Sequence, residues 1–120
     1  MPKVYIPNKS GHNFSSAKLF GDLVYVTEGE INLFGTVRIY QAFVKAMKDI
    51  SPKDYLLISS ANILCSIGAA VMARKTGHLN ILMFRQSDNT YVPREISIDS
   101  LLEQLEQEGE EDEDGSRTNE

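Results

Sequence analysis

Apolar residues along this chain fall into short continuous runs that alternate with longer, helix-like stretches. The clearest case spans residues 54–84, where apolar runs at 55–58 and 79–84 flank a stretch long enough for a helix. A helix between two strands usually connects parallel strands of one sheet. We therefore predict a strand–helix–strand unit, in which Leu57 on the strand faces Ile67 on the helix.

The helix of this unit carries signals at both ends. Ser59, Ser60 and Asn62 can each cap its amino end, because a short side-chain oxygen accepts from the free amides of a first turn. Residues 63–72 are apolar on nearly every side, so we expect this helix to be well buried. Gly77 stands where a helix often ends in a left-handed residue.

Further strands are predicted at residues 3–7 and 23–27, and at 91–98, which follows a turn and pairs back on the preceding strand. The polar segment 8–13, which follows the first of them, is predicted to be a loop. Pro93 lies within the last run, and proline cannot donate to a strand ladder. We therefore expect the last strand at an edge of the sheet.

Two helices are predicted between these strands. A short helix is expected at 15–20, and a longer one begins near Asn32. Thr36 is the alternative start of the longer helix, because Gly35 would weaken a first turn. Apolar residues at helical spacing give this helix a predicted buried stripe. The stripe consists of Leu33, Val37, Tyr40, Val44 and Met47.

The order of these elements determines the predicted fold class. Strands and helices alternate through most of the chain, which is typical of an α/β domain with a mostly parallel sheet and right-handed crossovers. We predict a single three-layer α/β domain with about five strands and an antiparallel edge strand. The expected strand order is 2-1-3-4-5.

The carboxyl-terminal segment differs from the rest in charge. Residues 1–102 hold 11 Lys and Arg and 8 Asp and Glu, whereas residues 103–120 hold one Arg and 9 acids. The weakly basic body, without a Lys/Arg cluster, is poor support for nucleic-acid binding. Ser100 and Glu103 form a capping box that predicts a short helix.

Past that helix the chain lacks the apolar side chains that offset the entropy of ordering. We therefore predict a domain at 1–106 and a disordered acidic tail at 107–120.

Several classes of protein are not indicated. Cys65 is the only cysteine, so no intramolecular disulfide can form and a reducing compartment is favoured. There is no signal-peptide pattern and no apolar run of membrane-spanning length, so we expect a soluble, cytoplasmic protein with no membrane partner. Nucleotide-binding glycine loops and zinc-binding patterns are missing as well. We expect no cofactor and no metal.

Polar residues follow three of the predicted strands at their carboxyl ends. In an open parallel sheet these ends share one edge, where ligands bind close to the point at which the winding reverses. Helix amino ends at that edge favour anions, which points to a small anionic ligand. The candidate ligand-binding residues are Asn8, Lys9, Ser10, His12, Thr27, Glu28, Ser59, Ser60 and Asn62.

Two resemblances add to this interpretation. The run at 25–34, VYVTEGEINL, resembles the opening strand and glutamate of a toprim domain, a Mg²⁺ site. Toprim domains also need an Asp-x-Asp pair after a later strand, where this chain has Ser59 and Ser60.

A broader likeness covers about residues 3–98. The segments NKSGHNF, LVYVTEG, DYLLISS and ARKTGHLNILMFR resemble a group of small uncharacterised phage-encoded α/β proteins. This resemblance implies a phage source and no particular activity.

Three functions remain open from the sequence. The first is a small phage-type accessory or binding protein that holds an anionic ligand, or a partner's acidic group, at the strand ends. The second is a hydrolase or transferase that uses His12 and Glu28 at the same edge. The third is a protein-interaction module whose acidic tail engages a basic partner.

Overall fold

A computed structural model describes residues 1–59 and 61–111. The described chain forms one sheet with helices packed against it. In chain order the elements are β1 (Lys3–Lys9), a 3₁₀ helix (Ser15–Leu19), β2 (Asp22–Glu28), α1 (Thr36–Ala46), β3 (Tyr55–Leu57), α2 (Asn62–Thr76), β4 (His78–Arg85), β5 (Thr90–Ser97) and α3 (Ile98–Glu111).

The five strands lie in the order β2-β1-β3-β4-β5. Neighbouring strands are parallel except β4 and β5, which pair antiparallel. Pro93 lies opposite Leu82 on the edge strand β5, where its missing amide breaks no inner ladder. The predicted fold class, strand order and antiparallel edge strand are therefore confirmed.

The winding of the sheet reverses at β1. The chain moves from β1 to β2 on one side, then crosses back past β1 to β3 and continues to β4. Right-handed crossovers in opposite directions place their connections on opposite faces of the sheet. Accordingly, the 3₁₀ helix packs on one face, whereas α1 and α2 pack on the other.

Two apolar clusters form the core, one on each face. Leu56 is buried with the residues of α1 and α2, and Leu57 is buried with Phe14 on the opposite face. The predicted contact between Leu57 and Ile67 is wrong, because Ile67 packs in the cluster of Leu56. Successive side chains of a strand point to opposite faces, so an assignment that is off by one residue changes the face.

Helix α1 starts at Thr36, which was the alternative start. Its buried side is formed by Ile39 and Phe43, with Met47 just beyond the helix. The predicted stripe is wrong apart from Met47, because the other four members are exposed. Those four are Leu33, Val37, Tyr40 and Val44. The helix has two apolar stripes at helical spacing, and the sheet covers the other one.

Helix α2 is the best packed helix of the fold, although it is not buried all round. Gly68 lies against the Phe43 ring of α1, where an added Cβ would come 2.6 Å from ring carbon Cε1. Ala70, in contrast, is exposed. Gly77 ends the helix in the left-handed conformation, with φ of 73°, as predicted.

The bounds of β1 and α3 differ from prediction by two residues or more. β1 continues to Lys9, through the start of the predicted loop, because Asn8 and Lys9 pair with Thr27 and Glu28 of β2. α3 begins at Ile98, two residues before the capping box.

The helix then continues to Glu111, so residues 107–111 of the predicted tail are helical. The rest of that tail, 112–120, lies outside the described residues. None of the helices in the described part of the chain has the length and apolar character that crossing a bilayer requires.

Candidate functional site

The carboxyl ends of β1 and β2 lie side by side, and two predicted site residues fasten them together. Asn8 Nδ2 donates to the Gly29 carbonyl at 3.0 Å, and Thr27 Oγ1 donates to the Pro7 carbonyl at 2.6 Å. These contacts hold the sheet edge in place next to the reversal of winding. They leave Asn8 Oδ1 buried without a hydrogen-bond partner among the described residues.

Other predicted residues from the same strand ends lie exposed at the surface. Lys9 Nζ stands 5.3 Å from the centroid of the Tyr25 ring, a cation–π contact. The His12 ring meets the Phe14 ring edge-on, with 6.2 Å between centroids. Within residues 1–59 and 61–111, no hydrogen bond or ion pair joins His12 to Glu28. Ser10 is exposed too.

The amino end of α2 lies at the same edge of the sheet. Its N-cap is Ala61 and no side chain of the described residues caps it, so Ser59 and Asn62 do not have the predicted capping role. The Ser59 carbonyl accepts from Cys65 Sγ at 2.9 Å, while burial raises the pKa of the Cys65 thiol. Ser59 Oγ is buried and makes no hydrogen bond among the described residues. Ser60 lies outside the described residues.

Two cavities open beside the segment 30–35, which connects β2 to α1. The smaller, about 410 Å³, is bounded by Asn8, Gly29 and the first turn of α2. The larger, about 710 Å³, extends from Thr27 along this segment to the first turn of α1. Glu30 and Ile31 line both cavities. The larger of these two cavities therefore lies at the α1 amino end, beside the strand ends that the sequence indicated.

The first turn of α1 carries a cation and no acidic residue. Gly35 is its N-cap, and no side chain of the described residues caps it, as is also the case at the amino end of α2. The first amides of a helix have no acceptor within the helix, so this end carries partial positive charge. Arg38 lies in the same turn and lines the 710 Å³ cavity. A cation at this end is unfavourable unless an anion lies nearby, and Glu30 lines the same cavity.

The loop before α1 is held by a local turn. Asn32 Oδ1 accepts from the Phe34 amide at 3.0 Å, and the Asn32 carbonyl accepts from the Gly35 amide at 3.0 Å. With its side chain engaged in this turn, Asn32 does not cap α1. The residues that open α1 line the larger cavity.

Sequence reasoning missed four residues that line this cavity: Glu30, Asn32, Thr36 and Arg38. The signal that could have found them is an arginine two residues after the alternative helix start at Thr36. First turns normally favour acidic residues, so a cation there draws attention to this helix start and to the charges around it. Thr27 and Asn8 are the predicted residues that line the cavities.

The arrangement suits binding of an anion more than any other chemistry that the described residues offer. In the described part of the chain, no three His, Cys, Asp or Glu side chains come together as a potential metal site. Glu30 contributes the one carboxylate that lines the larger cavity, where it can accept from a hydroxyl or an amine.

Comparison with known proteins identifies the family of the chain. The searches of curated proteins and of solved structures gave no significant match. A family model described as "Phage Pam3 gp32-like protein" matches residues 2–98, which is most of the chain and nearly the range of the resemblance to phage proteins. The chain therefore belongs to the phage Pam3 gp32-like protein family.

Proposed function

We propose that this phage-type protein is an accessory protein that binds a small anionic ligand at the carboxyl edge of its sheet. The anionic group of the ligand lies at the amino end of α1. The observation that carries the proposal is the uncapped first turn of α1, which holds Arg38 and opens onto a cavity of about 710 Å³.

Charge and size both support this assignment. The residues of the first turn of α1 and Arg38 line one cavity, and free amides and a guanidinium each favour an anion. Arginine also presents a planar set of donors that matches a carboxylate or phosphate. Small-molecule sites typically measure about 300–1,000 Å³, a range that includes the larger cavity.

A carboxylate beside the site indicates what else the ligand carries. Glu30 lines both cavities. Its carboxylate accepts hydrogen bonds, so it suits a ligand with hydroxyl or amino donors in addition to its anion. Hydroxylated phosphates, nucleotides and amino-bearing carboxylates are the classes to test.

The experiment is a thermal-shift screen of inorganic phosphate and these three ligand classes. A ligand at one hundred times its Kd adds about 2.7 kcal/mol of stability, which is readily detected. We expect at least one of them to raise the melting temperature of the wild type. Arg38→Gln reduces the shift, whereas Arg94→Gln, an exposed arginine on β5, retains it.

Three further variants test where along the sheet edge the anion lies. Glu30→Gln removes a negative charge from the cavity, so it increases the shift produced by inorganic phosphate. His12→Ala and Glu28→Gln leave the shift unchanged if the anion lies at α1. The proposal fails if no anion stabilises the wild type, or if Arg38→Gln and Arg94→Gln behave alike.

A further inference from the structure

The fold leaves an apolar groove on the outer side of α1 and α2. Its floor is continuous, because one cavity of about 300 Å³ and another of about 450 Å³ share Tyr40 and Ala70. Val37 is 66 % and Tyr40 54 % exposed, which is unusual for a valine and a tyrosine on adjacent turns. Contiguous apolar surface of this kind typically marks an interaction site.

The carboxyl end of this groove is cationic. Arg74 and Lys75 line the 450 Å³ cavity, and Lys75 Nζ reaches the Lys48 carbonyl at the end of α1 at 3.4 Å. Within the described residues neither side chain forms an ion pair. The groove thus offers an apolar floor that ends in unneutralised positive charge.

Helix α3 complements this groove, because it carries exposed leucines followed by acidic residues. Leu101, Leu102 and Leu105 lie on it at helical spacing, and Leu102 is 52 % exposed. The helix has no basic residue in its last turn, and Glu106 and Glu108 follow the leucines toward its carboxyl end. Its main contacts within the molecule are with β4 and β5, so much of its leucine side faces solvent.

We propose that α3 of a second copy of this chain docks in the groove between α1 and α2. The leucines lie on the apolar floor, and Glu106 and Glu108 lie at the cationic end beside Arg74 and Lys75. From Leu101 to Glu108 a helix advances about 10 Å, close to the advance of α1 from Val37 to Val44. When two copies exchange α3 reciprocally, both apolar surfaces are covered in one symmetric dimer.

The first test is the solution mass of the full chain, measured by light scattering and sedimentation over a range of concentrations. The wild type is expected at no less than twice the monomer mass of 13.4 kDa. Leu105→Asp and Val44→Asp each halve the mass without loss of helix content by circular dichroism. Leu19→Ser, on the exposed 3₁₀ helix, is the control and leaves the mass unchanged.

A charge exchange tests the contact between the two copies directly. Arg74→Glu with Lys75→Glu in one protein, and Glu106→Lys with Glu108→Lys in another, should each give monomers. Mixing the two proteins should restore the dimer mass, since each groove then meets an α3 of opposite charge. The proposal is overturned if the wild type is monomeric at every concentration. It is overturned equally if only α3 substitutions disrupt association, because α3 then pairs with another α3.

Discussion

The hydroxyl of Tyr5 is a polar group buried in an otherwise apolar place. Tyr5 is fully buried, and its hydroxyl has no hydrogen-bond partner among the described residues. Burial, together with the charges of Asp54 and Asp49, raises its pKa to about 12. A buried hydroxyl without a partner costs stability, and ionising it costs more. At this position the ring stabilises the fold and the hydroxyl opposes it.

Replacing Tyr5 by phenylalanine should therefore not destabilise the protein, and it should stabilise it by up to about 1 kcal/mol. The wild type should also lose stability as the pH rises from 10 toward 12, because the folded state holds the Tyr5 proton more tightly than the unfolded chain. Tyr5→Phe weakens this dependence on pH. Part of it remains, because the pKa values of Tyr55 and Tyr91 are raised as well. Denaturant melts at pH 8 and pH 11 measure both effects. A loss of 2 kcal/mol or more at pH 8, on the order of a broken buried hydrogen bond, would mean that the hydroxyl has a partner.

Gly68 gives a second prediction at the same scale. An added Cβ would lie 2.6 Å from Phe43 Cε1, and Phe43 is fully buried and cannot swing away. Overpacking costs about 1–3 kcal/mol, which outweighs the gain of up to about 1 kcal/mol from replacing a helical glycine. Gly68→Ala should thus lower the free energy of unfolding.

Two variants check the physical reason for this cost. Ser66→Ala, exposed on the same helix, should be neutral or slightly stabilising. In a Phe43→Leu background the smaller side chain makes room, and Gly68→Ala should then lose its cost. If the cost persists in that background, the Phe43 ring is not its source.

At the scale of elements, the existence and type of each segment could be predicted, but the buried face could not. Strands and helices follow from apolar runs, caps and breakers, which are local. The buried face of α1 is a tertiary property, because its two apolar stripes are equally helical and only the sheet selects between them. The same holds for Leu56 and Leu57. Successive side chains of a strand point to opposite faces of the sheet, but the sequence does not show which of these two leucines faces α2.

A double-mutant cycle tests the face assignment of β3. Leu56→Ala and Leu57→Ala should each cost about 2–5 kcal/mol, since both side chains are fully buried. Leu56 shares its cluster with Leu64 of α2, so Leu56→Ala and Leu64→Ala should be non-additive. Leu57 lies on the other face, so its cycle with Leu64 should add within about 0.5 kcal/mol. The reverse pattern would contradict the face assignment.

At the scale of the whole molecule, the order of elements was enough to predict the topology. Strands and helices alternate along the chain until a final hairpin. Few strand orders connect such elements with right-handed crossovers, and 2-1-3-4-5 is one of them. From the sequence, the location of the proposed site was narrowed only to the edge of the sheet. Asn8 and Thr27 line its cavities, but Arg38 belongs to a loop and helix start that strand-end reasoning did not include.

The acidic end of the chain gives a prediction at this scale. Residues 112–120 contain no apolar side chain, so they have little to bury. Ending the chain after Glu111 should change the free energy of unfolding by less than about 1 kcal/mol. Thermal melts of the two chains measure this difference. A larger drop would show that these residues pack on the domain.

The most direct test of the proposed function is a phosphate titration followed by amide resonances in a ¹⁵N-labelled sample. The free amides of Thr36, Val37 and Arg38 should shift first and saturate together, because they are the donors offered to the anion. Resonances of β5 should stay in place, and Arg38→Gln should weaken the apparent affinity. Shifts that never saturate, or that centre on His12 and Lys9 while α1 is unmoved, would contradict an anion site at the start of α1.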